Sequence, residues 1–141
     1  LTLTGPGMFD LKNFFDYALE LDVKIETKRM FAFHPDIVMS MMAWPRHILD
    51  RIIDDVLDYI RPRATYKQQT LINELEGMKK SPTFQEQWPE EAEEAFFKGR
   101  NWQNQIGQIR PDEKLRIEQI YQQDTELYDW WMRIDRKHNQ R

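Results

Sequence analysis

Apolar residues recur at helical spacing from Phe9 to Leu21, through Phe14, Phe15, Ala18 and Leu19, and predict an amphipathic helix there. Upstream of it, Leu1-Thr-Leu-Thr-Gly-Pro-Gly7 reads as the end of a strand turning into that helix. From Val23 to Phe33 the period changes to two. Val23, Ile25, Thr27 and Phe31 fall on one face, and Lys24, Glu26, Lys28 and Met30 on the other, which predicts a second strand. Charged residues along one face of a helix-covered sheet suggest a polar lumen or cleft.

A loop is expected from His34 to Trp44, with Pro45 at the first position of the next helix. That helix has the cleanest pattern in the chain: Ile48, Leu49, Ile52, Ile53, Val56, Leu57 and Ile60, stopped by Pro62. Beyond it the strand signal vanishes. Tyr66–Lys80 reads as a helix with Leu71, Ile72, Leu75 and Met78 inward, and Pro89 opens an acidic helix to about Lys98. Asn101–Arg110 is rich in Asn and Gln and reads as loop or irregular helix. Pro111 starts a helix with Leu115, Ile117 and Ile120, and Asp124 caps a last one with Leu127, Tyr128, Trp131 and Ile134. Weak continuous apolar faces imply that this tail wraps an existing surface, with its tryptophans as packing anchors.

The fold class expected is therefore α/β: late strand–helix units of a partial (β/α) barrel over residues 1–61, then an all-helical extension over 62–141. Parallel strands need neighbours and helical cover, so one such unit is expected to belong to a larger α/β protein, with Leu1 an internal start.

Composition narrows the chemistry. The 141 residues carry 24 acidic and 20 basic side chains, a formal charge of -4, so no global footprint for nucleic acid or an anionic membrane exists. Cys is absent, which removes disulfides, thiolate nucleophiles and cysteine-ligated clusters from this span and fits a cytoplasmic setting. No apolar run approaches the roughly 20 residues of a membrane helix.

Three constellations stand out. Asp54-Asp55-Val-Leu-Asp58 is a DDxxD pattern on a helix, a spacing that converges acids on magnesium and diphosphate; its structural alternative is a polar helix face with Arg51 paired to Asp55 and Arg61 to Asp58. The end of the second strand offers Lys28 and His34 as cofactor contacts and Glu26 and Asp36 as substrate contacts, because ligands of α/β folds sit outside the carboxyl ends of strands. The plainer alternative is a Glu26–Lys28 pair lining a lumen, with His34 a loop residue before Pro35. Gly5-Pro-Gly7 has two readings, a cradle for an anion on backbone N–H groups and a tight turn between strand and helix. Met39, Met41 and Met42 pad a pocket or fill the core.

The order of GPG turn, helix, strand VKIETKRMFAFHP, loop, WPR-initiated helix HILDRIIDDVLDYI and helical tail resembles the C-terminal portion of radical S-adenosylmethionine enzymes, specifically the twitch-domain-containing group of phage and uncultured microbes. The resemblance covers residues 1–61 best. It implies a parent enzyme that binds S-adenosylmethionine and an iron–sulfur cluster and starts radical chemistry on a small-molecule or peptide substrate. The three-cysteine loop of that family is absent here, as are auxiliary-cluster cysteines, so the cluster would be ligated upstream and none bound by this segment alone. Its partner would be the missing N-terminal barrel half. Two rivals remain: the C-terminal half of a sulfotransferase-like enzyme, from Ile-Tyr-Gln-Gln-Asp-Thr-Glu-Leu-Tyr128, and a non-catalytic helical module whose acidic, Trp-bearing helices dock a protein.

Overall fold

The computed structural model describes residues 1–29 and 36–139, and the side chains of all of these except 36, 111, 113–116 and 135–139. Two strands, β1 (Thr2–Leu3) and β2 (Lys28–Arg29), pair in parallel with Thr2 opposite Lys28 and Leu3 opposite Arg29. Helix α1 (Leu11–Leu21) makes the crossover between them, preceded by a 3-10 turn over Pro6–Asp10. Further 3-10 turns at Asp36–Met39 and Met41–Ala43 lead into α2 (Arg46–Ile60). A turn at Tyr66–Gln68 opens α3 (Gln69–Lys80), followed by α4 (Phe84–Gln87), α5 (Ala92–Ile109), α6 (Pro111–Tyr121) and α7 (Thr125–Asn139).

The protein is thus mostly helical, and the described residues form no partial barrel, contrary to the expected α/β class. The reason lies in what the backbone of 22–27 bonds to. The N–H of Ile25 donates to the carbonyl of Lys67 at 2.9 Å, and the Ile25 carbonyl accepts from the Thr70 hydroxyl. The Gln68 amide reaches the Val23 carbonyl at 3.5 Å, and Lys67 Nζ the Asp22 carbonyl at 3.1 Å. The turn before α3 and the start of α3 therefore take up groups that a longer β ladder would use, and among the described residues two pair with β1. Val23 is accordingly exposed while Ile25 is buried. Met30 to Pro35, the remainder of the expected strand, lies outside the described residues.

Helix α1 ends where Asp22 adopts a left-handed conformation (φ 55°), with the N–H groups of Asp22 and Val23 donating to Leu19 and Ala18. This is the short reversal expected after Leu21. Pro45 stands one residue before α2, as its N-cap, rather than at its first position. All seven apolar residues expected inside α2 are buried, as are Leu71, Ile72, Leu75 and Met78 of α3. The acidic helix does not start at Pro89 or stop at Lys98: α5 begins at Ala92 and continues through the Asn- and Gln-rich stretch to Ile109.

One hydrophobic cluster runs from Leu3 to Ile134. It joins Phe15, Trp44, Ile53 and Leu57 to Leu75, Phe97, Tyr121, Leu127 and Trp131, so α5, α6 and α7 help to form the core they cover.

Candidate functional site

The residues singled out near β2 sit on the surface. The backbone nitrogen of Leu1 donates to the Glu26 carbonyl at 2.8 Å, and the Lys28 N–H to the Leu1 carbonyl at 3.0 Å. The Glu26 carboxylate pairs with Lys24 at 3.1 Å, not with Lys28. Lys28 itself is exposed and makes no ion pair among the described residues. Asp36 opens a 3-10 turn, and its side chain, like all of His34, lies outside the described residues. Arg29, on the face shared with Ile25 and Thr27, turns toward α3 instead: its Nε bonds Glu74, and its Nη1 lies 3.1 Å from the Ser81 hydroxyl. The alternation that placed Lys28 outside also places Arg29 inside.

The DDxxD carboxylates do not converge. Asp54 pairs with Lys79 of α3, and Asp55 with Lys12 of α1 at 2.7 Å. The expected partners go elsewhere: Arg51 forks onto Asp124 (2.5 and 2.9 Å), and Arg61 reaches Glu76 at 2.8 Å. These acids tie α2 to its neighbours, and among the described residues no group of three or more His, Cys, Asp or Glu is placed to hold a metal.

The Gly5-Pro-Gly7 turn is a packing device. A Cβ on Gly5 would lie 2.6 Å from the Tyr121 hydroxyl and 2.8 Å from the Met39 carbonyl oxygen, which already accepts the Gly5 N–H at 2.8 Å. Tyr121 is the hub of an aromatic centre: its ring meets Trp44 at 6.1 Å and Trp131 at 5.1 Å, both edge-on, and the buried Arg100 guanidinium lies 4.1 Å over the Trp131 ring. The Tyr121 hydroxyl faces Trp44 without a hydrogen bond of normal length. Burial pushes its phenol upward, and Trp44 and Arg100 draw it back only in part. Met41 and Met42 are buried beside Ser40, whose hydroxyl accepts the Met42 N–H at 3.1 Å, so the methionines fill the core.

Several ionisable groups are shifted by the partners that fix them in the fold. Arg46 and Arg51 are raised by Glu86 and Asp124, Lys67 by Asp22, and Tyr59 by Asp16, while Glu86 is lowered to about 2 and Asp124 also falls. Each of these shifts carries the pKa further from pH 7.

Two concavities lie away from β2. A cavity of about 490 Å³ between α5 and α7 is walled by Pro45 and Pro89 and floored by Phe96, Phe97 and Trp130, with Arg133 exposed at its edge. A second of about 380 Å³ is lined by Phe9 and Ile52 and by the paired Lys12, Asp55, Arg51 and Asp124. The donor set does not fit an iron–sulfur cluster, since the chain has no cysteine. The residues behind the sulfotransferase resemblance have structural work: Tyr121 fills the core, and Asp124 caps α7 by accepting the Leu127 N–H at 3.0 Å.

The chain matches no family model, no curated protein and no solved structure.

Proposed function

We propose that this chain is a helical, non-catalytic portion of a radical S-adenosylmethionine enzyme of the twitch-domain group. It braces the polypeptide that binds the cofactor and contributes no cluster ligand of its own. The observation that carries the reading is the parallel β1–α1–β2 crossover, which retains the strand–turn–helix–strand order of the resembling segment even though its ladder is two residues long. The absence of cysteine agrees with a bracing role. Lys28, exposed beside this crossover, remains the proposed cofactor-side contact. The test is the full polypeptide encoded with this segment, purified without oxygen and assayed for iron and sulfide. Stoichiometric iron, lost on replacing a CxxxCxxC loop elsewhere in that polypeptide, is expected. A polypeptide with neither loop nor iron overturns the proposal.

A second reading, a helical module that docks another protein, draws on Trp102 and Ile109, exposed seven residues apart on one side of α5. Trp102→Ala and Ile109→Ser would then abolish co-purification of one defined protein while leaving the helix content of the chain unchanged.

A further inference from the structure

We propose that the outer edge of β1 and the adjoining face of α1 receive one extended strand, which carries apolar residues at alternate positions and a lysine or arginine opposite Asp10. That the strand belongs to the rest of the same enzyme rests on the reading above; the chemistry of the surface does not.

The first observation is the ladder. In the parallel register of Thr2 with Lys28, Leu1 and Leu3 direct their backbone groups at β2, and the Lys28 N–H meets the Leu1 carbonyl at 3.0 Å. The N–H and carbonyl of Thr2 point the other way, and among the described residues neither finds a backbone partner. A two-stranded parallel pair is stable within a larger sheet and marginal by itself, and an open edge recruits an extended segment through main-chain hydrogen bonds.

The second is apolar exposure. Among the described residues nine large hydrophobic side chains are exposed, and five of them, Leu1, Phe14, Tyr17, Leu21 and Val23, lie in or beside β1 and α1. Phe14, Tyr17 and Leu21 stand at i, i+3 and i+7, one stripe of α1. Between stripe and strand runs a groove of about 160 Å³ lined by Leu1, Leu3, Leu11 and Phe14, with room for an aliphatic side chain of the incoming strand. A stripe of this kind next to an open edge marks an interaction surface.

The third is charge. Asp10 lines the same groove and is exposed; its carboxylate accepts the Asn13 amide at 3.1 Å and meets no cation among the described residues. Glu20, exposed along the flank of the stripe, likewise makes no ion pair among the described residues. Lys12, the nearest base on α1, is held by Asp55. An occupant with a basic residue at the Asp10 end therefore meets an unmatched acid, whereas an acidic one is repelled.

The probe is a labelled nine-residue peptide alternating valine and threonine with lysine at one end, titrated into the 141-residue chain and followed by fluorescence anisotropy. Saturable binding is expected. Thr2→Pro removes the outward N–H and spares the Leu1 and Leu3 bonds to β2, and is expected to weaken binding about tenfold or more. Asp10→Asn is expected to weaken the lysine peptide but not its glutamine counterpart, which keeps the test decisive if the proline variant misfolds. Absent binding, preference for an amphipathic helical peptide, or indifference to both substitutions overturns the proposal. So does a second copy on this face, seen as a dimer in sedimentation that Thr2→Pro abolishes. Loss of the iron–sulfur reading leaves these measurements standing, and failure of peptide binding leaves that reading standing.

Discussion

Arg46 Nη2 lies 2.6 Å from Glu86 Oε1, and the same guanidinium reaches the carbonyls of Lys79 (3.1 Å), Met78 (3.4 Å) and Ser81 at the C-terminal end of α3. One side chain at the start of α2 thereby closes α3, where four carbonyls lack helical partners, and anchors α4. Arg46→Met keeps the aliphatic stem but strands these acceptors, and is expected to destabilise the protein by about 2–3 kcal/mol in urea unfolding. Arg46→Lys should recover only part of this, since an ammonium cannot fork across both partners.

Glu86 carries the acid response of that junction. Hydrogen bonding from Arg46, then from the Thr83 N–H, lowers its carboxyl from the usual range to about 2. The unfolded chain binds this proton at higher pH than the folded one, so the stabilisation is complete above about pH 4.5 and is lost as pH falls toward 2. Glu86→Gln is therefore expected to be less stable than the parent at pH 7, with the gap narrowing between pH 4.5 and 2. A constant gap in acid titrations followed by circular dichroism would refute the assignment.

Gly5 and Gly7 are expected to differ sharply on substitution. Gly5→Ala forces a methyl against the Tyr121 hydroxyl and the Met39 backbone, whereas Gly7→Ala meets only the side chain of Thr4, which can give way at the cost of one exposed hydrogen bond, the 3.1 Å contact of its hydroxyl with the Gly7 N–H. The first should cost about 1–3 kcal/mol or more through overpacking. The second should cost well below that, and the two melting temperatures measured side by side decide it.

Tyr121→Phe removes a buried hydroxyl that has no hydrogen-bond partner at normal distance. Stability is expected to stay within about 1 kcal/mol of the parent or to rise. Tyr121→Ala, which empties the space between Trp44 and Trp131, should cost about 3–5 kcal/mol by analogy with other buried aromatic truncations. Combined with Gly5→Ala, the phenylalanine variant should rescue part of the glycine defect, because the closest clash is with the hydroxyl.

Asp124 has two separable roles, as cap of α7 and as partner of Arg51. Asp124→Ser keeps a capping oxygen and loses the ion pair, whereas Asp124→Ala loses both. The alanine variant is expected to be less stable than the serine one by about 1 kcal/mol in thermal or urea unfolding.

Most helices were legible because their signals are local. The apolar period of α2, the Pro111 start of α6 and the Asp124 cap each lie within a few residues of what they specify. The strand from Val23 was not, because its backbone partners, Lys67 and Thr70, lie on a distant turn and helix that no period-two pattern reveals. The DDxxD acids misled in the same way: Arg51 is correctly spaced for Asp55, yet tertiary packing brings Lys12 to Asp55 and Asp124 to Arg51. Thr83-Phe-Gln-Glu86 is a missed local signal, a capping box in which Glu86 accepts the Thr83 N–H at 2.9 Å and Thr83 the Glu86 N–H at 3.2 Å. Gly5 had no such signature, since its requirement arises only when Tyr121 arrives.

The shared core also dictates an order of events during synthesis. Trp44, Ile48 and Leu49 leave the ribosome long before Tyr121, Trp131 and Ile134, with which they form one cluster. Until translation passes Ile134, a nascent chain holds that apolar surface without its lid, which makes this interval the one in which a chaperone has most to bind.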